Sequence, residues 1–221
     1  MGSARIKEKS GPSRQLDVTD KAVRTFSQGH PKPCVREPTD VTPHWQAWDM
    51  TDLKEHLHGY LKAQRSALLL KLDGLSERDA RLPRTPTGTN LLGLVKHAAA
   101  CELGYFGETF GRPSELVLPW EVEGVDPNDN EDMFGTEGET MAQVIEWSQA
   151  CFAHADATIQ ALPLDAPGRV AWWPPESNAV TLGQIIIHMA LDEARHAGHA
   201  DILREQLDGR VGLRSEGNNL P

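Results

Sequence analysis

Cysteine is scarce in this chain. Cys34, Cys101 and Cys151 stand far apart and form no C-x-x-C pair. That usage argues against a disulfide framework or a cysteine-rich zinc site, and for a reducing compartment. Long apolar runs are also missing: none reaches the roughly eighteen residues of a transmembrane helix. The N-terminal MGSARIKEKSGPSRQ lacks the apolar stretch of a signal peptide. A soluble cytoplasmic protein is the expectation. Basic residues are in deficit overall, with a formal net charge of −10, which excludes wholesale binding to nucleic acid. The deficit is uneven. Residues 1–38 carry eight Lys or Arg, whereas residues 121–139 carry eight acids and no base.

A length of 221 residues suits one domain with a sizeable core plus an arm. Residues 1–48 are polar and proline-rich, with four prolines in HPKPCVREPTDVTP, and are expected to form an extended or partly ordered arm. A bundle is expected over 49–212 and a short tail over 213–221.

Four segments carry helical signals. The first, about 51–73, opens with Asp52 and Glu55 as a capping pair and places Leu53, Leu57, Tyr60, Gln64, Ala67 and Lys71 on one stripe. The second, NLLGLVKHAAACELGYFGETF, has Thr89 or Asn90 as its cap. The third starts at Thr140 with a T-x-x-Q signal and repeats apolar residues at strict 4-3 spacing from Met141 to Leu162. The fourth starts at Thr181 with the same signal and stops at Asp208-Gly209. Helices of about 20 residues span about 30 Å, the height of an all-α four-helix bundle. The first and third links are short enough for neighbouring antiparallel helices. The second, about 110–139, is long and acidic, and loops of that length are usually functional or disordered. No segment alternates strongly enough to require a sheet; a short hairpin in that loop stays open.

The last helix holds the chemistry. His188, Asp192, His196 and His199 recur at i, i+4, i+8 and i+11 and share one quadrant of the helix. His188 and His196 are about 12 Å apart along the axis, too far to share one metal. Residues one turn apart can do so: His188 with Asp192, or Asp192 with His196. Glu193 with His196 gives the Glu-x-x-His alternative. A catalytic zinc typically takes three protein ligands, so a facing helix must add one. His97, alone among apolar residues in LLGLVKHAAAC, is the stronger candidate, and His154 the weaker.

The segments TNLLGLVKHAAACELGYF, AWWPPESNAVTLGQIIIHM and DEARHAGHADILREQLDG together resemble the DinB-like family of metal-binding four-helix proteins. The likeness covers about residues 50–212 and is nearest to the branch related to mycothiol-dependent maleylpyruvate isomerase and mycothiol S-transferases. It implies a divalent metal, zinc foremost with nickel as the alternative, held by His97, Asp192 and His196. The family's ligand at the Asp192 position is a histidine or a glutamate, so Glu193 remains a rival there. Glu193, Arg195, His199, His188, Trp172 and Trp173 are then expected around the metal or the substrate. The resemblance further implies a thiol S-transferase that activates mycothiol as a metal-held thiolate for attack on a small electrophile. A metal-dependent hydrolase with Glu193 as base, an isomerase and a non-catalytic metal-stabilised module are the alternatives. The expected partners are a small-molecule thiol and an electrophile, without nucleic acid or membrane; a homodimer stays open.

Overall fold

The computed structural model describes residues 50–126, 130–136 and 138–212. The expected arm with Cys34, the expected tail, and the Asp52 side chain of the first capping signal lie outside the described residues. In chain order the elements are α1 (Met50–Leu70), a short α2 (Glu77–Arg81), α3 (Leu91–Phe106), α4 (Met141–Ala161), strands β1 (Pro167–Arg169) and β2 (Ala179–Thr181), and α5 (Leu182–Asp208). The capping residues act as the sequence suggests. The Asn90 side chain accepts from the Gly93 N–H at 2.8 Å. Thr140 with Gln143, and Thr181 with Gln184, form reciprocal capping boxes at the starts of α4 and α5. Gly209 ends α5 at φ +78°, a conformation glycine adopts without steric cost. No described helix is long and apolar enough to cross a membrane.

The core shows how the helices run. At one end Leu68 and Leu72 of the α1 terminus meet Leu91 and Leu94 of early α3, Val144 of early α4 and Leu203 of late α5. At the other, Leu61 meets Phe106, Ile159, Leu182 and Met189. Hence α1 and α5 run one way, and α3 and α4 the other. Arg204 of α5 fits this direction: it donates to the carbonyls of Lys71 and Asp73 at 2.7 and 2.9 Å, just past the end of α1. The first and third links join antiparallel helices, as expected. The closest packing is instead between the parallel pairs, α3 with α4 and α1 with α5. A parallel pair explains the long second link, which must return the full height of the bundle before α4 begins.

Three features differ from the sequence reading. The short α2 has no counterpart in it; Ser76 caps this helix by accepting from Asp79 N–H. The hairpin lies in the third link rather than the second, pairing Gly168 with Val180. Strands of three residues are too short to show an alternation. Along α1 Leu61, Arg65, Ala67 and Leu68 are buried, followed by Lys71 and Leu72 just past its end; Ala67 and Lys71 belong to the expected stripe, whereas Tyr60 is 65% exposed. The inward row thus includes an arginine, Arg65, one position beyond the expected Gln64.

That arginine belongs to a polar layer at mid-height. Arg65 grips Glu102 of α3 with a two-pronged contact, its Nε donating to Oε1 at 2.5 Å and its Nη2 to Oε2. Its Nη1 donates to Asp156 of α4 at 2.6 Å, and Asp156 also meets His58 at 2.6 Å. Glu193 of α5 completes the layer; Glu193 and Glu102 are fully buried. Burial and then the neighbouring Glu102 push the Glu193 carboxyl well above the usual range. Burial raises Glu102 too, but the Arg65 guanidinium opposes it. Of the two, Glu193 therefore holds the proton and Glu102 the charge. Asp156 is opposed by burial, yet His58 and Arg65 hold it below the usual carboxylate range.

Arg65→Met would leave the Glu102 charge buried without its partner. We expect a loss of about 3–5 kcal/mol in urea unfolding; a loss below about 1 kcal/mol would mean the pair is structurally dispensable. Asp156 adds a pH signature. Its folded pKa lies below its unfolded one, so its stabilisation is full above the unfolded value and is lost as pH falls through the folded value. The Tm gap between the native protein and Asp156→Asn should be widest near neutrality and shrink as the solution is acidified below about pH 4. A gap that does not change with pH would contradict this.

Candidate metal centre

Asp192 and His196 lie one helical turn apart on α5, so both face α3. His97 faces them from the middle of α3. One ligand atom from each of the three lies within 4.8 Å of the others. Among the described residues no other group of histidine, cysteine and carboxylate converges in this way. The His97 and His196 rings meet edge to face with centroids 4.8 Å apart. His196 Nε2 stands 3.5 Å from Asp192 Oδ2. Glu193 points into the polar layer instead, where its oxygens lack a well-formed hydrogen bond.

The imidazoles differ in their surroundings. His97 Nδ1 is 2.5 Å from Asp132 Oδ2, and its other face is near the Cys101 sulfur, 3.6 Å from Nε2. Burial disfavours its charged form, but Asp132 and Cys101 outweigh this and raise His97 to about 10. Asp132 itself is held low by His97 despite its burial. His196 is lowered by burial and then by the charge of His97. Its Nδ1 is buried with no hydrogen-bond partner. A neutral imidazole with an unused buried nitrogen, a second imidazole oriented by a carboxylate, and Asp192 make a donor set suited to a borderline divalent cation. A zinc held by these three alone would keep a coordination position free.

The second link delivers Asp132. A 3-10 turn at Glu131–Met133 packs on the first turn of α3. It packs there because residue 93 is glycine: a Cβ at Gly93 would overlap the Met133 carbonyl. The rest of the segment is pinned. Lys96 donates to the Phe134 carbonyl at 3.2 Å and to Glu139 at 2.9 Å. Arg81 of α2 donates to the Thr136 carbonyl at 2.9 Å and to that of Glu139. Glu77 accepts from the Met141 N–H at 2.8 Å.

A cavity of about 400 Å³ adjoins the cluster. It begins at Cys101, one turn beyond His97, and follows α3 under the first part of the long link. Tyr105, Leu116, Leu118, Trp120 and Trp172 form its walls. Trp172 reaches it because the link between β1 and β2 folds over the end of α3.

The remaining expected residues take varied places. Trp173 donates its indole N–H to the Tyr105 hydroxyl at 3.0 Å. The His188 ring packs 5.0 Å from Tyr105 and 5.1 Å from Trp173. His188 therefore sits in this aromatic cluster rather than in the three-residue group. His199 is exposed and meets His196 edge on at 5.5 Å, and Arg195 is exposed. His154, the rival ligand, bonds the Arg112 carbonyl at 2.8 Å and belongs to the packing of the long link on α4.

Asp132 and Cys101 were absent from the sequence-derived site. Cys101 had a signal, because it follows His97 by four residues and so shares its helix face. Asp132 is one of eight acids in its segment, and nothing in their spacing singles it out.

The family model described as mycothiol-S-transferase matches residues 56–209. No curated protein matches the chain.

The contact at Gly93 yields a test. Gly93→Ala should force the Glu131–Met133 turn off α3 and draw Asp132 away from His97. We expect the metal-free variant to show the same change as Asp132→Asn: the His97 imidazole, followed by NMR, titrates lower than in the metal-free native protein, where Asp132 and Cys101 push it up to about 10. A His97 titration unchanged in both variants would mean that Asp132 does not set the state of the ring.

Proposed function

The chain belongs to the mycothiol S-transferase family, and we propose that it transfers mycothiol to a small electrophile using a divalent cation held by His97, Asp192 and His196. The convergence of these side chains from α3 and α5 within 4.8 Å carries the metal part of this reading. Zinc suits two imidazoles and a carboxylate, and nickel is the alternative. Such a cation would retain a net charge of about +1 after one carboxylate and would lower the pKa of a thiol that reaches it.

The protein residues have separate tasks. Asp132 fixes the His97 ring by accepting from Nδ1, which leaves Nε2 toward the cluster. Burial keeps His196 neutral, with a lone pair to donate. The apolar cavity holds the electrophile beside the cluster and excludes water from it. In the reaction the thiol proton passes to solvent. Sulfur forms a bond to the electrophilic carbon, and the leaving group departs with the pair of the broken bond.

The hydrolytic alternative assigned the base to Glu193. Its carboxyl is directed at Glu102 in the core and is held in the neutral form. That geometry favours S-transfer. A cytoplasmic site of action remains part of the proposal.

Two measurements test it together. Purified protein should hold near-stoichiometric zinc or nickel by mass spectrometry, and Asp192→Ala and His196→Ala should lose it. Catalysed transfer of mycothiol to monochlorobimane should fall about 100-fold or more in both variants. Native protein that takes up neither metal, or variants that keep full activity without it, would refute the metal-dependent reading.

A further inference from the structure

The cavity beside Cys101 has a character of its own. Its walls are aromatic and aliphatic, and its floor is Gly104, where a Cβ would stand 3.7 Å from Trp172 and 4.0 Å from Trp120. A side chain larger than methyl at position 104 would extend into the space. Glu108, two residues past the end of α3, and Glu121, beside Trp120 and accepting from the Leu118 N–H at 3.1 Å, bring two carboxylates to the exposed rim of the lining. Among the described residues no lysine, arginine or histidine lines it. The nearest cation in sequence, Arg112, is turned toward α4, where its Nε donates to the Thr158 hydroxyl at 3.0 Å.

A volume of about 400 Å³ falls within the range of small-molecule sites, and apolar walls with few polar groups are what such sites use. Aromatic faces attract flat apolar groups and repel none that lack negative charge. Two carboxylates without a compensating cation oppose an anion. We propose that this cavity selects electrophiles whose body is apolar, of the size of a fused pair of aromatic rings, and free of negative charge. As an assignment of substrate class it rests on the S-transfer reading; as a ligand site it stands on the cavity alone.

The test measures binding, with neither thiol nor metal added. The full chain is titrated by calorimetry with 2-naphthylmethanol and with 2-naphthoate, which share one ring system and differ in charge. We expect the alcohol to bind at least about tenfold tighter than the carboxylate. Glu108→Gln combined with Glu121→Gln should narrow that gap by strengthening naphthoate alone. Gly104→Leu should abolish binding of the alcohol by filling the space. Trp120→Ala, which removes a wall and leaves α3 untouched, should weaken it several-fold. Naphthoate binding as tightly as the alcohol would overturn the proposal. So would failure of both probes to bind, or alcohol binding that neither Gly104→Leu nor Trp120→Ala disturbs. Normal discrimination in a protein that transfers no thiol would leave the cavity assignment standing and remove only its role in S-transfer. Equal transfer to neutral and anionic electrophiles by an active protein would overturn the substrate assignment and leave S-transfer standing.

Discussion

Arg65 places a guanidinium at mid-height in the bundle, where apolar packing would otherwise be continuous. Around it the layer takes one acid from each of the other three long helices: Glu102 from α3, Asp156 from α4 and Glu193 from α5. A hydrophobic core tolerates small slips of one helix along another, because leucine against leucine is much the same one turn away. A buried charge does not. Shifting any one helix would strand a carboxylate or the guanidinium without its partner, at a cost of several kcal/mol. The layer thus sets the register of all four helices. The candidate centre depends on that register, since Asp192 adjoins Glu193 in sequence and His97 lies little more than a turn from Glu102.

The two ends of the bundle serve different purposes. Below the layer, the tight cluster of leucines and the Arg204 contacts hold α1 to α5. Above it, beside the core around Leu61 and Phe106, the aromatic residues Tyr105, Trp172 and Trp173 border an open space along α3. The centre lies near the boundary, where rigid packing positions the imidazoles and the adjoining cavity gives access.

Much of this was legible in the sequence. The 4-3 spacing and capping pairs marked the helices, because both signals are local and the structure uses them locally. Helical spacing set which residues of the last helix share a face, and one apolar helix held a single histidine, so the candidates were visible; the choice of His97, Asp192 and His196 among them came from the family resemblance. Asp132 was not visible, since its role depends on how a link of about thirty residues lies against α3. Arg65 carried no signal for a related reason. Its burial depends on partners from two other helices, which a pattern within α1 does not contain. Glu193 belonged to the same network, so its place in the core was hidden until Arg65 and Glu102 were seen beside it.

The long link also divides into two parts with different duties. Its early residues, from Pro113 to Glu121, shape the cavity wall, whereas Asp132 and the pinned turn that follows serve the imidazole. The two parts attach at different points along α3. Sequence drift in the early part can therefore alter which molecules fit without disturbing His97. A bundle organised in this way can change the shape of its cavity through one stretch of loop while the imidazole contact made by another stays fixed.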